Sequence, residues 1–168
     1  LVALSTMTDL LIEQQTDNEL ARTVRRELDR ANALATQMLK YSRSQASTHG
    51  PVPLHNLLDR VLQLAHPRLK ENGATIHCTL DANPDRVRGD ETQMEQLFLN
   101  LILNAADAVE TGGEVRLSTA NRTHESLGAV ISVRVQDTGA GIAPDILPRL
   151  FDPFFTTKRH GTGLGLYI

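Results

Sequence analysis

Residues 90–108 read DETQMEQLFLNLILNAADA, and the rest of the chain is best read outward from them. Leu97, Phe98, Leu99, Leu101, Ile102 and Leu103 make the stretch apolar on nearly every side of a helix, so a mostly buried helix is expected over 91–109. Gln93, Gln96, Asn100, Asn104 and Asp107 recur at steps of three and four and fall in one polar stripe. That stripe must face solvent or a polar cavity, because an unsatisfied buried amide costs about 1–3 kcal/mol. Asparagine lowers helix propensity, so two in mid-helix require a reason. An amide oxygen is a suitable hard ligand for magnesium, and an amide nitrogen can donate to phosphate. Thr111-Gly-Gly113 supplies the glycine stop that ends the helix.

Two strands are predicted next, around 114–121 and 129–137, joined by the polar loop NRTHES. Ile131, Val133 and Val135 alternate with Ser132, Arg134 and Gln136, and Asp137 falls in phase with the apolar set. Its carboxylate is therefore predicted to point inward at the strand's end, where it needs a donor, and the exocyclic amine of adenine would serve. Gly139 and Gly141 let the backbone turn and approach a flat base closely. DTGAG alone is equally an ordinary turn. Residues 142–160 read as a loop with Pro144, Pro148 and Pro153. Its Phe151, Phe154 and Phe155 are expected to form an apolar cluster that pins it and anchors a lid. Lys158, Arg159 and His160 place positive charge beside GTGLGL at 161–166. This run has neither the ending of a P-loop nor the spacing of a dinucleotide-binding fingerprint. It reads as a glycine loop opening a helix, whose free N–H groups can bind phosphate. Asparagines, aspartate and glycines in this order together point to a site for a magnesium nucleotide.

Upstream, Leu57, Leu58, Val61, Leu62, Ala65 and Leu69 mark a helix. Residues 74–80 alternate as a strand with Ile76, Cys78 and Leu80 on one face, and 86–88 suggest a short edge strand. The region is expected to be a layered α+β unit with one largely antiparallel sheet. Ser42 to Pro53 has no periodicity and reads as a linker. Before it, Leu1, Leu4, Met7 and Leu11 repeat at helical spacing. Thr16 and Glu19 form a capping box for a second helix carrying Leu20, Val24, Leu28, Ala31, Ala35 and Met38. Two such helices form an antiparallel hairpin that cannot bury its seam alone, so self-association into a four-helix bundle is expected. The expected organisation is a hairpin at 1–47, a linker at 48–53 and a mixed domain at 54–168.

The 168 residues, 40% hydrophobic and 22% charged, describe a globular chain, and a net charge of −3 gives no footprint for nucleic acid. The single cysteine, Cys78, excludes an intrachain disulfide and fits a reducing, cytoplasmic setting. No apolar run has the length of a membrane span, and the first residues lack the basic region of a secretory signal. Both ends read as cut from something longer. None of the six histidines stands on the first helix, and His77 and Cys78, adjacent on a strand, face opposite ways and make no metal pair.

The sequence resembles the sensor histidine kinases of two-component systems, within the GHKL superfamily of ATP-binding proteins. Residues 90–108 look like the family's N box, VQDTGAGI at 135–142 like its first glycine box, FDPFFTTK at 151–158 like its F box, and GTGLGL at 161–166 like its second glycine box. The match covers about 51–168, and four boxes in the family's order are specific. The resemblance implies a two-layer α/β sandwich preceded by dimerisation and phosphotransfer helices, with ATP and Mg2+ as ligands. It implies that Asn104 ligates magnesium and that Asn100 contacts phosphate or metal-bound water. Asp137 would take the adenine amine, with Gly139, Gly141 and Ile142 lining the base. Lys158 would reach a phosphate, and Gly161, Thr162, Gly163, Leu164 and Gly165 would hold the phosphates. Asp107 stands where many relatives carry a basic phosphate-contacting residue; NAADA at 104–108 instead looks like the nitrogen-regulation-type branch. Asp90 and Glu91 only open the helix. Gln96 occupies the position of a water-activating glutamate in gyrase- and chaperone-type relatives, which disfavours hydrolysis as the purpose. The implied activity is transfer of the ATP γ-phosphoryl group to a histidine, then to a response-regulator aspartate. The acceptor would lie about two helical turns before Leu1. The implied partners are a receiver domain and a second copy joined through the hairpin. A GHKL ATPase, an anti-sigma-type serine kinase and a nucleotide-binding module without kinase activity are the alternatives.

Overall fold

The structure is a computed structural model that describes residues 49–158, 163 and 165–167. Residues 48–155 with 163–168 form one compact unit, and Thr156–Lys158 belong to another. The predicted hairpin at 1–47 lies outside the described residues. Along the first unit run β1 (Gly50–Pro53), α1 (Leu54–Glu71), β2 (Thr75–Leu80), β3 (Arg86–Gly89), α2 (Glu91–Ala108), β4 (Glu114–His124) and β5 (Gly128–Asp137), then a 3-10 turn at Leu147–Arg149. No helix among the described residues is long and apolar enough to cross a membrane.

The layers follow from the sequence periods. Leu57, Leu58, Val61 and Ala65 line one face of α1 and are fully buried. Ile102, Ala105 and Ala106 do the same on α2. Both stripes pack on one face of the sheet through Val115, Leu117, Ile131, Val133 and Val135. The other face carries His77 and Thr79 on β2, Arg116 and Ser118 on β4, and Arg134 and Gln136 on β5. An α layer on a β layer results, as the resemblance implies.

Three expectations are corrected. The sheet is not one antiparallel array. β2, β4 and β5 form a three-stranded sheet in the order β2-β4-β5, with β2 parallel to β4 and β4 antiparallel to β5. Parallel neighbours need a crossover, and the chain between β2 and β4 contains α2 to make it. The stretch read as the end of a linker is strand β1, paired antiparallel with β3 in a second, two-stranded sheet. Only Val52 of Gly50-Pro-Val-Pro53 is buried, and two prolines are tolerated because this is an edge pairing. The polar stretch 121–126 is mostly strand, since β4 and β5 pair as far as His124 and Gly128.

The helix starts are held by carboxylates. At α2, Asp90 Oδ1 accepts the Gln93 amide at 2.9 Å, so Asp90 opens the helix as expected. α1 has no side-chain cap of its own. Asp85 supplies one from the β2–β3 connection: its carbonyl accepts the Leu54 amide at 2.9 Å, and its Oδ2 accepts the His55 amide at 3.1 Å. His55 Nε2 lies 3.0 Å from the buried Thr119 hydroxyl, which also accepts the Ala82 amide at 3.2 Å. One polar knot thus joins the first turn of α1, β4 and the chain leaving β2.

Candidate functional site

The polar stripe on α2 is neither deeply buried nor fully open. Gln96, Asn100, Asn104 and Asp107 are half-buried, and Gln93 is exposed. The helix itself is less buried than expected, with Leu97 46% exposed next to the stripe. Asn100 is held at both ends of its amide. Its Oδ1 accepts from Gln96 Nε2 at 2.8 Å, and its Nδ2 donates to the Gly165 carbonyl at 3.0 Å. The i, i+4 spacing of Gln96 and Asn100 on one helix makes the first bond local. The second ties α2 to the second glycine run. Asn104 lies one turn further along the stripe, and Asp107 follows.

Asp107 is engaged by a cation. Arg68 Nε, from the last turn of α1, donates to Asp107 Oδ1 at 2.7 Å, and Arg68 Nη1 donates to Glu71 Oε2 at 2.7 Å. The hydrogen bonds it donates to Glu71 and then to Asp107 hold the Arg68 guanidinium charged more firmly than usual. Asp107 is thus a carboxylate with its own arginine.

The first glycine run is positioned by a close backbone approach. Asp137 ends β5 on the core side, half-buried, in the direction strand alternation predicts. Its Oδ1 accepts the Gly139 amide at 2.9 Å, which closes an Asx turn. A Cβ on Gly139 would lie 2.3 Å from the Ala108 carbonyl oxygen, so the turn sits directly on the last residue of α2. Thr138 fixes it from the other side: its amide donates to the Glu114 carbonyl at 3.0 Å, and its hydroxyl accepts the Glu114 amide at 2.9 Å. The carboxylate of Asp137 is thereby placed beside the helix that carries Asn100 and Asn104. Gly141 adopts φ +73 with open space around it, and Ile142 is 48% exposed just after it.

The loop that follows differs from its expected form. Phe151 and Phe154 are 66% and 53% exposed, so they do not make the pinning cluster; Phe155 lies under Arg149 at 4.5 Å. The loop is held instead through backbone. Gly163 has φ +67, and a Cβ there would lie 2.3 Å from the Phe154 carbonyl carbon. Phe154 itself has φ 67, rare for a side chain of its size. Gly163 and Gly165 thus each contact the rest of their own unit, one at Phe154 and one at Asn100. Lys158 belongs to the other compact unit, where its amide donates to Thr156 Oγ1 at 3.1 Å. Gly161, Thr162 and Leu164 lie outside the described residues.

Sequence reasoning missed one contact and two contributors. Gln96 was read in the stripe and at the position of a hydrolytic glutamate, but not as the donor that fixes Asn100; its four-residue spacing to Asn100 was the available signal. Thr138 and Arg68 act through partners distant in sequence, Glu114 and Asp107, and no local pattern marks them. Among the described residues no three His, Cys, Asp or Glu side chains group so as to hold a metal by themselves.

A buried-faced sheet, a helix with an amide stripe and a glycine turn seated on that helix's end define a nucleotide-site architecture of the GHKL class. A family model described as histidine kinase-, DNA gyrase B-, and HSP90-like ATPase matches residues 89–168. The sensory histidine kinase/phosphatase NtrB of Rhizobium leguminosarum bv. phaseoli is 37% identical over 172 residues, spanning 94% of this chain and 45% of that protein. The signal transduction histidine-protein kinase AtoS of Escherichia coli K12 is 30% identical, spanning 94% of this chain and 26% of that protein. Among solved structures, the nucleotide-free catalytic domain of histidine kinase ThkA superposes with a TM-score of 0.61 at 30% identity, over 71% of this chain and 76% of that one. The chain belongs to the histidine kinase family. It spans less than half the length of the curated relatives it matches.

Proposed function

We propose that these residues are the ATP-binding catalytic region of a two-component sensor histidine kinase, which transfers the γ-phosphoryl group of Mg-ATP to a histidine for relay to a response-regulator aspartate. The observation that carries this reading is the seat of Gly139 on the Ala108 carbonyl, which joins the Asp137 turn to the end of the helix that bears the amide stripe. Asp137 Oδ1 is occupied by the Gly139 amide, and the rest of the carboxylate would accept the adenine amine, with Gly141 and Ile142 along the base. Asn104 would hold Mg2+ through its amide oxygen. A hard cation bound by one or two protein oxygens, with phosphate and water completing its shell, fits a stripe of amides better than a cage of carboxylates. When bound, the ion would neutralise phosphate charge. Asn100, fixed by Gln96, would orient the phosphates or metal-bound water. Lys158 and the amides of Gly161 to Gly165 would complete the phosphate contacts. Asp107 would flank the site through its pair with Arg68. The chain's part is positioning and charge neutralisation. The proposed partners are a receiver domain and a second copy joined through the N-terminal helices of a 1–47 hairpin, in a cytoplasmic setting.

The test is the chemistry of the product. Full-length protein incubated with [γ-32P]ATP should acquire label that survives alkali and is lost in acid, as a phosphohistidine does, and Asn104→Ala should abolish it. Acid-stable label would support a serine kinase instead. Phosphate release without label would support an ATPase, and nucleotide binding with neither would support a binding module.

A further inference from the structure

The open face of the three-stranded sheet carries charge that the nucleotide site does not use. Strand register places Arg116 of β4 opposite Gln136 of β5, and Ser118 opposite Arg134. Arg116 and Arg134 are therefore diagonal neighbours, within reach of each other's side chains. On the other flank, β2 sets His77 beside Arg116 and Thr79 beside Ser118. These six side chains line a cavity of about 190 Å³. Arg122 stands further along the same face of β4. One carboxylate borders the group: Glu114 Oε2 accepts from Arg116 Nη2 at 2.7 Å, and its Oε1 lies 4.0 Å from His77 Nε2. Arg134 has no ion-pair partner among the described residues.

This is an unusual balance for a chain with net charge −3. Like charges on neighbouring positions of a sheet repel, so arginines at diagonal positions lower stability unless anions offset them, and Glu114 offsets Arg116 alone. No lysine is used on these strands. Arginine's planar fork pairs with carboxylate and phosphate in two parallel hydrogen bonds, which a lysine cannot do. Flanking hydroxyls and a glutamine amide add neutral donors for the remaining oxygens. Helix α1 and helix α2 cover the opposite face, so this cavity is separate from the amide stripe.

We propose that the cavity between Arg116 and Arg134 is an oxyanion-binding site, taking a phosphate or carboxylate group on the sheet face opposite the helices. The site does not depend on the nucleotide reading. Arg134 supplies an uncommitted fork. Arg116, held by Glu114, supplies a second edge, and Ser118, Thr79 and Gln136 donate to the oxygens left over. The same chemistry can come from a small free anion or from an acidic segment of a protein.

Titration of inorganic phosphate into nucleotide-free protein, followed by backbone amide NMR, reads the site directly. Saturable shifts at residues 116–118 and 134–136 are expected, and chloride at equal ionic strength should not reproduce them. Arg134→Ala should weaken binding about tenfold or more, the loss of a charge-assisted hydrogen-bonded partner. Arg134→Lys should recover part of it, and Asp137→Ala should leave it unchanged. A hexaglutamate peptide is the second arm: tighter binding than phosphate identifies an acidic protein segment as the ligand, and binding of phosphate alone identifies a small-anion site. Shifts that follow ionic strength only, or that persist undiminished in Arg134→Ala, overturn the proposal. If Arg134→Ala loses dispersion in its spectrum, Arg134→Gln replaces it under the same criteria.

Discussion

Gly139→Ala is the smallest change that tests how the site is assembled. The added methyl carbon would lie 2.3 Å from the Ala108 carbonyl oxygen, 2.6 Å from its carbon and 2.9 Å from Asp137 Oδ1. An ordinary carbon–oxygen contact is about 3.3 Å, so the turn or the end of α2 must retreat by about 1 Å. Two of the three atoms are backbone at the last residue of a helix, and no side-chain rotation relieves the overlap. Forcing extra volume into a packed contact costs about 1–3 kcal/mol. With a urea slope of about 1–3 kcal/mol per molar, the unfolding midpoint should fall by about 1 M. The displacement also breaks the 2.9 Å bond from the Gly139 amide to Asp137, so Mg-ATP affinity should fall about tenfold or more. Gly141→Ala is the matched control. Its Cβ meets nothing within 4 Å, but φ +73 strains any side chain, at about 1–2 kcal/mol. It should lose comparable stability with a smaller loss of affinity. An unchanged urea midpoint for Gly139→Ala, or an affinity loss no greater than that of Gly141→Ala, would refute the reasoning.

Three further outcomes are expected. Thr119→Val keeps the shape of the buried side chain but strands the Ala82 amide and His55 Nε2, and should cost about 1–3 kcal/mol in urea unfolding; a loss below the error of the fit would show that the knot is not formed. Partial burial, and secondarily the Asp59 carboxylate, push the Cys78 thiol above its ordinary pKa, so the native state holds the thiol proton more tightly than the unfolded chain. Alkylation by iodoacetamide should therefore be slower in the native than in the urea-unfolded protein at mildly alkaline pH, stability should decline as pH rises from the ordinary thiol value through the raised one, and Asp59→Asn should speed the reaction; equal native and unfolded rates would contradict this. Gln96→Glu removes the amide donor to Asn100 Oδ1 and sets a carboxylate beside it, so Asn100 should turn and release the Gly165 carbonyl; a weakened Mg-ATP affinity with an unchanged melting temperature is expected, and unchanged affinity would remove Gln96 from the site.

Much of the site was legible because its elements have short periods. Asp137 took its direction from the alternation of Ile131, Val133 and Val135, and the structure places it on that side. Asn100, Asn104 and Asp107 took theirs from helical spacing, which fixes a shared face whatever packs around it. What escaped were relations between distant residues. Gly139 was read as a glycine for a turn and for approach to a base; its closest demand comes from the carbonyl of Ala108, on another element. Arg68 meets Asp107 only because α1 packs on α2. The parallel pairing of β2 with β4 depends on a crossover rather than on either strand's composition. Strand β1 was hidden because Gly50-Pro-Val-Pro53 has one buried residue and no alternation to read. Phe151 and Phe154 mislead in the opposite sense, since apolar residues in a loop suggest a packed cluster and these two are exposed.

The central claim is that the Asp137 turn and the α2 stripe form one Mg-ATP site. Calorimetric titration of Mg-ATP into the wild type and Asp137→Ala tests it most directly, with circular dichroism to establish that both are folded. Losing a charged acceptor for the adenine amine should weaken binding by about tenfold or more, with Mg2+ dependence retained in the residual affinity. Equal affinity in the two proteins would contradict the account.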